Sequence, residues 1–263
     1  MRYARGSQVI TAEGDIPLLR QVRNSRFIGH QQLFELLQYE GCVSARSTFN
    51  WRIQRLLRTR HLERLESVTW QGAPIYSIAP NGLVELESQG EFAIALHSRT
   101  RQMPDRAQVF HALELNVIRL ALARKALLVS WRSEIEICST NMVSGLPYQK
   151  DYDAIVKIWI TAGVREFALE YERSLKSARQ YERIRAALDA ERQVGCVLYL
   201  TADPDLLLAI LYQLTPVSTR LGFLTARSFR ERLLEASVTV DARRAMVTLE
   251  QFLEYSHPLY TGS

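Results

Sequence analysis

A chain of 263 residues with 47% hydrophobic and 23% charged side chains can bury one large core or two ordinary ones without disulfides or metals, and two domains are expected. This composition excludes the disordered and fibrous classes, while three widely spaced cysteines, Cys42, Cys138 and Cys196, exclude a disulfide framework or zinc cluster and fit a reducing cytoplasm. A net charge of +5 does not by itself argue for a nucleic-acid partner.

The N-terminal stretch MRYARGSQVITAEGDIPLLRQ lacks the apolar core of a signal peptide. No apolar run approaches the roughly 20 residues of a membrane helix, so a cytoplasmic protein without membrane contact is expected. Residues 1–25 show no clear period and are expected to form an arm or a short element packed on the body. In QQLFELLQYE, Leu33, Phe34, Leu36 and Leu37 share a helical side that stops before Gly41, a natural C-terminal residue for a helix.

The next segment, VSARSTFNWRIQRLLRTRHLERLE, reads as a longer helix with Ser44 as N-cap. SVTWQGAPIYSIAPNGLVELE then reads as two short strands around a Gly/Pro turn, closing in another helix. On the longer helix Phe49, Ile53, Leu56 and Leu57 fall on one arc, and Ser47, Trp51, Gln54, Arg55 and Arg58 on the opposite one. From Ser44 to Arg64 six arginines face the single acid Glu63, so this segment alone carries +5, as much as the whole chain. Such a patch suits phosphate, and Arg46, Ser47, Trp51, Gln54, Arg55 and Arg58 are the expected DNA contacts. Polar linker material, HSRTRQMPDRAQ, marks a boundary around Pro104.

After it, DRAQVFHALELNVIRLALARKALL is a strong helix with Phe110, Leu113, Val117, Leu120 and Ala121 at helical spacing. LLVSWRSEIEI, DAIVKIWI and VREFALEYE read as strands, RSLKSARQYERIRAALDAERQ as a charged helix, and VGCVLYLT as a strand buried on both faces. The last three form a parallel βαβ unit. From Asp203 onward helical stretches alternate with the short apolar piece LGFLTA, in an order the sequence leaves open.

Period-two geometry puts Glu170 and Glu172 on one face of their strand, outside the apolar layer, and Asp153 with Lys157 on one face of the preceding strand. A hairpin through TAGVR would bring Asp153 beside Glu170. Acids at strand ends commonly face water; converging ones are relieved by Mg²⁺ or Mn²⁺, which polarises a phosphodiester and activates water. No GxxxxGK(S/T), GxGxxG or HExxH stands in the chain, which removes the corresponding nucleotide-binding and metalloprotease classes.

Residues 26–98, with LLRTRHLERLE and IYSIAPNGLVEL, resemble the winged-helix DNA-binding modules. An Asp at a strand start, a Glu-x-acid at the end of the next strand, and a helix crossing to a buried strand resemble the PD-(D/E)XK nuclease superfamily. The order HALELNVIRLAL, WRSEIEI, YDAIVKI, FALEYERSLKSARQY, VLYLT behind a winged helix resembles the replication-relaxation family of plasmids and other mobile elements.

These resemblances imply an α/β (α+β) chain with a winged helix over 26–98 and a nuclease-like mixed sheet flanked by helices over 105–263. They imply double-stranded DNA as partner, a homodimer as an option, and Glu134, Asp153 and Glu170 as ligands of Mg²⁺ or Mn²⁺. Asp153, Glu170, Glu172 and Lys176 take the catalytic places. Glu172 stands where the superfamily lysine usually stands, with Lys157 or Lys176 as its replacement, and Tyr152 stands where proline is typical. Two functions follow from the resemblance: a Mg²⁺-dependent nuclease, or a noncatalytic regulator that keeps the nuclease fold as a scaffold or dimerisation domain.

Overall fold

The computed structural model describes residues 9–97, 105–241 and 245–254. The chain is mixed α and β and divides into two compact units, Met1–Ala93 with Thr100–Leu120, and Ile94–Arg99 with Ala121–Ser263. Most of the expected linker, residues 98–104, lies outside the described residues.

The first unit runs α1 (Asp15–Ser25), β1 (Ile28–Gly29), α2 (His30–Tyr39), α3 (Arg46–Arg58), β2 (Leu62–Trp70), β3 (Ala73–Ile78) and α4 (Pro80–Ser88). Its three strands pair antiparallel in the order β1-β3-β2. Helix α3 begins at Arg46 with Ala45, not Ser44, as N-cap. After α3, Arg60 takes a left-handed φ of 55° and turns the chain into β2. The β2–β3 hairpin closes on Gln71 and Gly72, with φ of 52° and 76°, the two positive values that a tight primed turn requires. Gly82 allows α4 to lie against the His61 carbonyl, which a Cβ would meet at 2.3 Å.

Of the two forms expected for the first 25 residues, 15–25 take the packed element and not the arm: Ile16, Leu18, Leu19 and Val22 of α1 join Leu33, Phe49, Ile53 and Leu56 in one buried cluster. The long helix was also expected in the second domain. Helix α6 (Arg106–Arg124), which follows the short α5 (Ile94–His97), instead gives residues up to Leu120 to the first unit. There Val109 and Leu113 cover Ile75 and Leu65 on the sheet. Buried Gln32 fastens this contact, accepting from Gly29 N–H (3.0 Å) and donating to Leu113 O (2.9 Å).

The second unit contains β4 (Leu128–Ser133), α7 (Glu134–Val143), β5 (Ala154–Ile160), β6 (Gly163–Glu172), α8 (Ala178–Ala190) and β7 (Cys196–Thr201). It continues with α9 (Pro204–Leu214), β8 (Arg220–Thr225), α10 (Ala226–Arg232), β9 (Ser237–Thr239), β10 (Met246–Thr248) and α11 (Leu249–Glu254). The seven strands form one mixed sheet in the order β10-β9-β8-β7-β6-β5-β4, parallel only across β6-β7-β8. As expected, β6, α8 and β7 make a parallel crossover unit, and β5 and β6 an antiparallel hairpin with Ala154 opposite Leu169.

In WRSEIEI the strand ends early: Ser133 donates its backbone N–H (2.8 Å) and hydroxyl (2.9 Å) to Glu136, and this capping starts α7 at Glu134. On one side of the sheet Ile155, Ala168, Val197 and Tyr199 pack with Tyr181 and Leu188 of α8 and with Ile210 and Leu211 of α9. Among the described residues no helix is long and apolar enough to cross a membrane.

One ion pair ties α1 to α3. Arg55 Nη2 meets Asp15 Oδ2 with side chains only 3% and 0% exposed, and Arg55 Nη1 donates to Val9 O at 2.6 Å. Removing one partner of a buried pair strands the other charge, so Arg55→Ala is expected to cost about 3–5 kcal/mol. Urea unfolding of the full chain measures it; a loss below about 1 kcal/mol, typical of exposed pairs, would contradict the assignment.

Candidate functional site

Two constellations emerge, one in each unit. The first is the outward face of α3. Phe49, Ile53 and Leu56 are buried, which leaves Arg46, Ser47, Asn50, Trp51, Gln54 and Arg58 exposed on one continuous arc. Of the six expected DNA contacts, Arg55 is the exception. It turns inward to Asp15, so its expected place on the nucleic-acid face is corrected. Arg52 is also partly withdrawn, donating to Cys42 O at 3.4 Å.

The helix face is braced from beneath. The Arg46 guanidinium lies 4.4 Å from the Phe34 ring centroid, and that of Arg55 lies 4.8 Å from the Trp51 ring. Asn50 Oδ1 contacts His30 Nε2 at 3.2 Å, and His30 Nδ1 contacts the Tyr76 hydroxyl at 2.9 Å. Burial, followed by the charge of Arg46, pushes the His30 imidazole below its ordinary value. Arg58, Arg60 and Arg64 remain exposed, so the positive charge at the C-terminal end of α3 is free to meet an anion.

The second constellation sits at the C-terminal end of β6. Asp153 Oδ2 accepts from Tyr171 N–H at 2.7 Å, and its carbonyl accepts from Glu134 N–H at 3.1 Å, at the start of α7. Asp153 therefore lies beside Glu170, as the hairpin register requires. The two glutamates were expected outside the apolar layer. They are instead buried, Glu170 to 4% and Glu172 to 7% exposure, because each meets a lysine: Lys150 pairs with Glu170 and Lys176 with Glu172.

Of the two lysines considered as replacements, Lys176 reaches the cluster. Lys157 does not, since it pairs with Glu166 across the exposed strand surface at 3.3 Å. Lys150 was missed because it lies in the loop before β5, where no periodicity constrains it. Glu191, at the end of α8, holds that loop: its carboxylate accepts from Gln149 N–H (3.0 Å), the Tyr152 hydroxyl (3.1 Å) and Gln193 N–H (2.7 Å).

Burial pushes the Glu170 carboxyl above the ordinary glutamate range, against the pull of Lys150 and with a further push from Asp153. It pushes the Lys176 ammonium down, against the pull of Glu170. Among the described residues no three carboxylate, imidazole or thiol groups converge closely enough to hold a metal ion. The ammonium groups of Lys150 and Lys176 stand against the two buried glutamates.

Comparisons with protein-family models, with curated proteins and with solved structures find no match to this chain.

The raised Glu170 value has a sign. The folded chain holds this proton more tightly than the unfolded one, so the contribution of Glu170 to stability is complete below about pH 4.5 and is lost as pH rises through the folded-state value. Glu170→Gln removes that loss. Its melting temperature relative to the parent is expected to climb as pH rises above about 4.5 in calorimetry; a difference independent of pH would contradict the shift.

Proposed function

We propose that the chain is a double-stranded DNA-binding protein that engages its target through the outward face of α3. The observation carrying this reading is the arc of Arg46, Ser47, Trp51, Gln54 and Arg58, exposed on the helix that precedes a two-stranded hairpin. The order α1-β1-α2-α3-β2-β3, with β1 paired to β3, supports a winged-helix unit in which α3 enters the major groove and the β2–β3 turn forms the wing. Groove-facing polar side chains read bases, and flanking arginines neutralise phosphates.

The second unit is read as a PD-(D/E)XK-like fold, supported by the β5–β6 hairpin followed by the α8 crossover to β7. It serves here as a noncatalytic scaffold or dimerisation domain of a DNA-binding regulator, of the kind that the resemblance to mobile-element replication-relaxation proteins implies. The specific observation behind this choice is the pairing of Glu170 with Lys150 and of Glu172 with Lys176. These contacts neutralise the buried glutamates internally, where a nuclease leaves its carboxylates to a divalent cation.

The logarithm of the DNA affinity should fall linearly with log salt, and replacing Arg46 and Arg58 by Ala should flatten the slope by about 1.8, at about 0.9 for each lost phosphate contact. Unchanged affinity and slope would remove α3 from the interface. Millimolar Mg²⁺ should leave both the melting temperature and supercoiled plasmid unaltered. A metal-dependent rise in melting temperature, together with plasmid cleavage that Asp153→Asn abolishes, would replace the scaffold reading by the nuclease one.

A further inference from the structure

We infer that Trp51 is a base-reading residue whose indole packs on a thymine methyl group in the major groove; this rests on the reading of α3 as the DNA-contacting helix. Trp51 is 46% exposed and stands among the polar and charged side chains of the outward face of α3, where a docked duplex would cover it. Ser47 and Gln54 lie one turn away on either side, and Arg46 and Arg58 bracket the face. These arginines are twelve residues apart, about 18 Å along the helix axis, enough to straddle a major groove about 12 Å wide. An uncharged ring between two phosphate-seeking cations lies over base edges rather than over the backbone.

The underside of the indole is occupied. The Arg55 guanidinium packs 4.8 Å from the ring centroid, and Arg55 is fixed by Asp15 and by the Val9 carbonyl. The ring is therefore held before DNA arrives, and little side-chain freedom is lost on binding. Its uncovered side asks for an apolar partner. Among the groups that base pairs present in the major groove, the C5-methyl of thymine is the apolar one. Ser47 and Gln54 supply the hydrogen-bonding capacity for neighbouring base edges, while Trp51 supplies the shape test for the methyl.

The test uses the full chain. Selection from a random duplex pool gives a preferred site, and each dT in it is then replaced by dU, which deletes only the methyl. At the Trp51-contacted position the parent should lose about fourfold in affinity, the value of one buried methyl-sized group. Trp51→Ala should bind dT and dU duplexes equally there while keeping the parent salt slope, and Trp51→Phe, which retains a ring over Arg55, should keep part of the dT preference. If dU binds as well as dT at every position, or if the penalty persists in Trp51→Ala, the inference is wrong while DNA binding stands. If the parent shows no salt-dependent duplex binding at all, the DNA reading fails and takes this inference with it.

Discussion

The buried contact between Asp15 and Arg55 decides how the first unit presents itself. It joins helices whose contacting residues are 40 positions apart in sequence, and it does so where both charges are withdrawn from water. A charge pair in such a place is tolerated only if neither partner is left alone. Asp15 Oδ2 also accepts from the Thr11 backbone N–H and hydroxyl, at 2.8 and 2.9 Å, and Arg55 Nη1 donates to the Val9 carbonyl, while Asp15 Oδ1 and Arg55 Nε are buried without a hydrogen-bond partner. The same arginine supports the Trp51 ring from beneath. One interaction thus fixes the seat of α1, the rotation of α3, and the set of side chains that α3 offers outward.

The second unit solves a comparable problem with lysines. Glu170 and Glu172 alternate with apolar residues on a strand in the middle of a seven-stranded sheet, where an unpaired carboxylate would be expensive. Lys150 arrives from the loop before β5 and Lys176 from the segment leading into α8, and each meets its glutamate. Glu191 stabilises the loop that carries Lys150. Each buried glutamate at this end of the sheet therefore has a lysine partner, while Asp153 adds a third carboxylate beside Glu170. Asp153 and Glu170 lie side by side, yet the described side chains supply no three-ligand cage.

Much of this organisation was legible in the sequence, because it depends on periodicity. Alternation over residues 153–160 and 164–172 pointed to the β5–β6 hairpin, and the apolar run at 194–201 to the buried parallel strand. Helical spacing of Phe49, Ile53 and Leu56 gave the inner face of α3. What escaped depends on partners distant in sequence. Arg55 sits at the edge of the outer arc, and only Asp15 tells its direction. The polar residues of DIPLLRQVRNS masked the apolar stripe of α1. EIEI alternates like a strand, but Glu136 reaches back to Ser133 and starts a helix. The two glutamates were correctly placed on one face, and their burial followed from lysines that lie outside either strand.

The measurement closest to the central claim is residue-resolved arginine modification of the full chain with a dicarbonyl reagent, read by mass spectrometry with and without duplex DNA. Arg46 and Arg58 are expected to react in the free protein and to be shielded by the duplex, while Arg55, buried against Asp15, stays unreactive in both states. Equal modification of Arg46 and Arg58 with saturating duplex, or ready modification of Arg55 in the folded chain, would contradict the account.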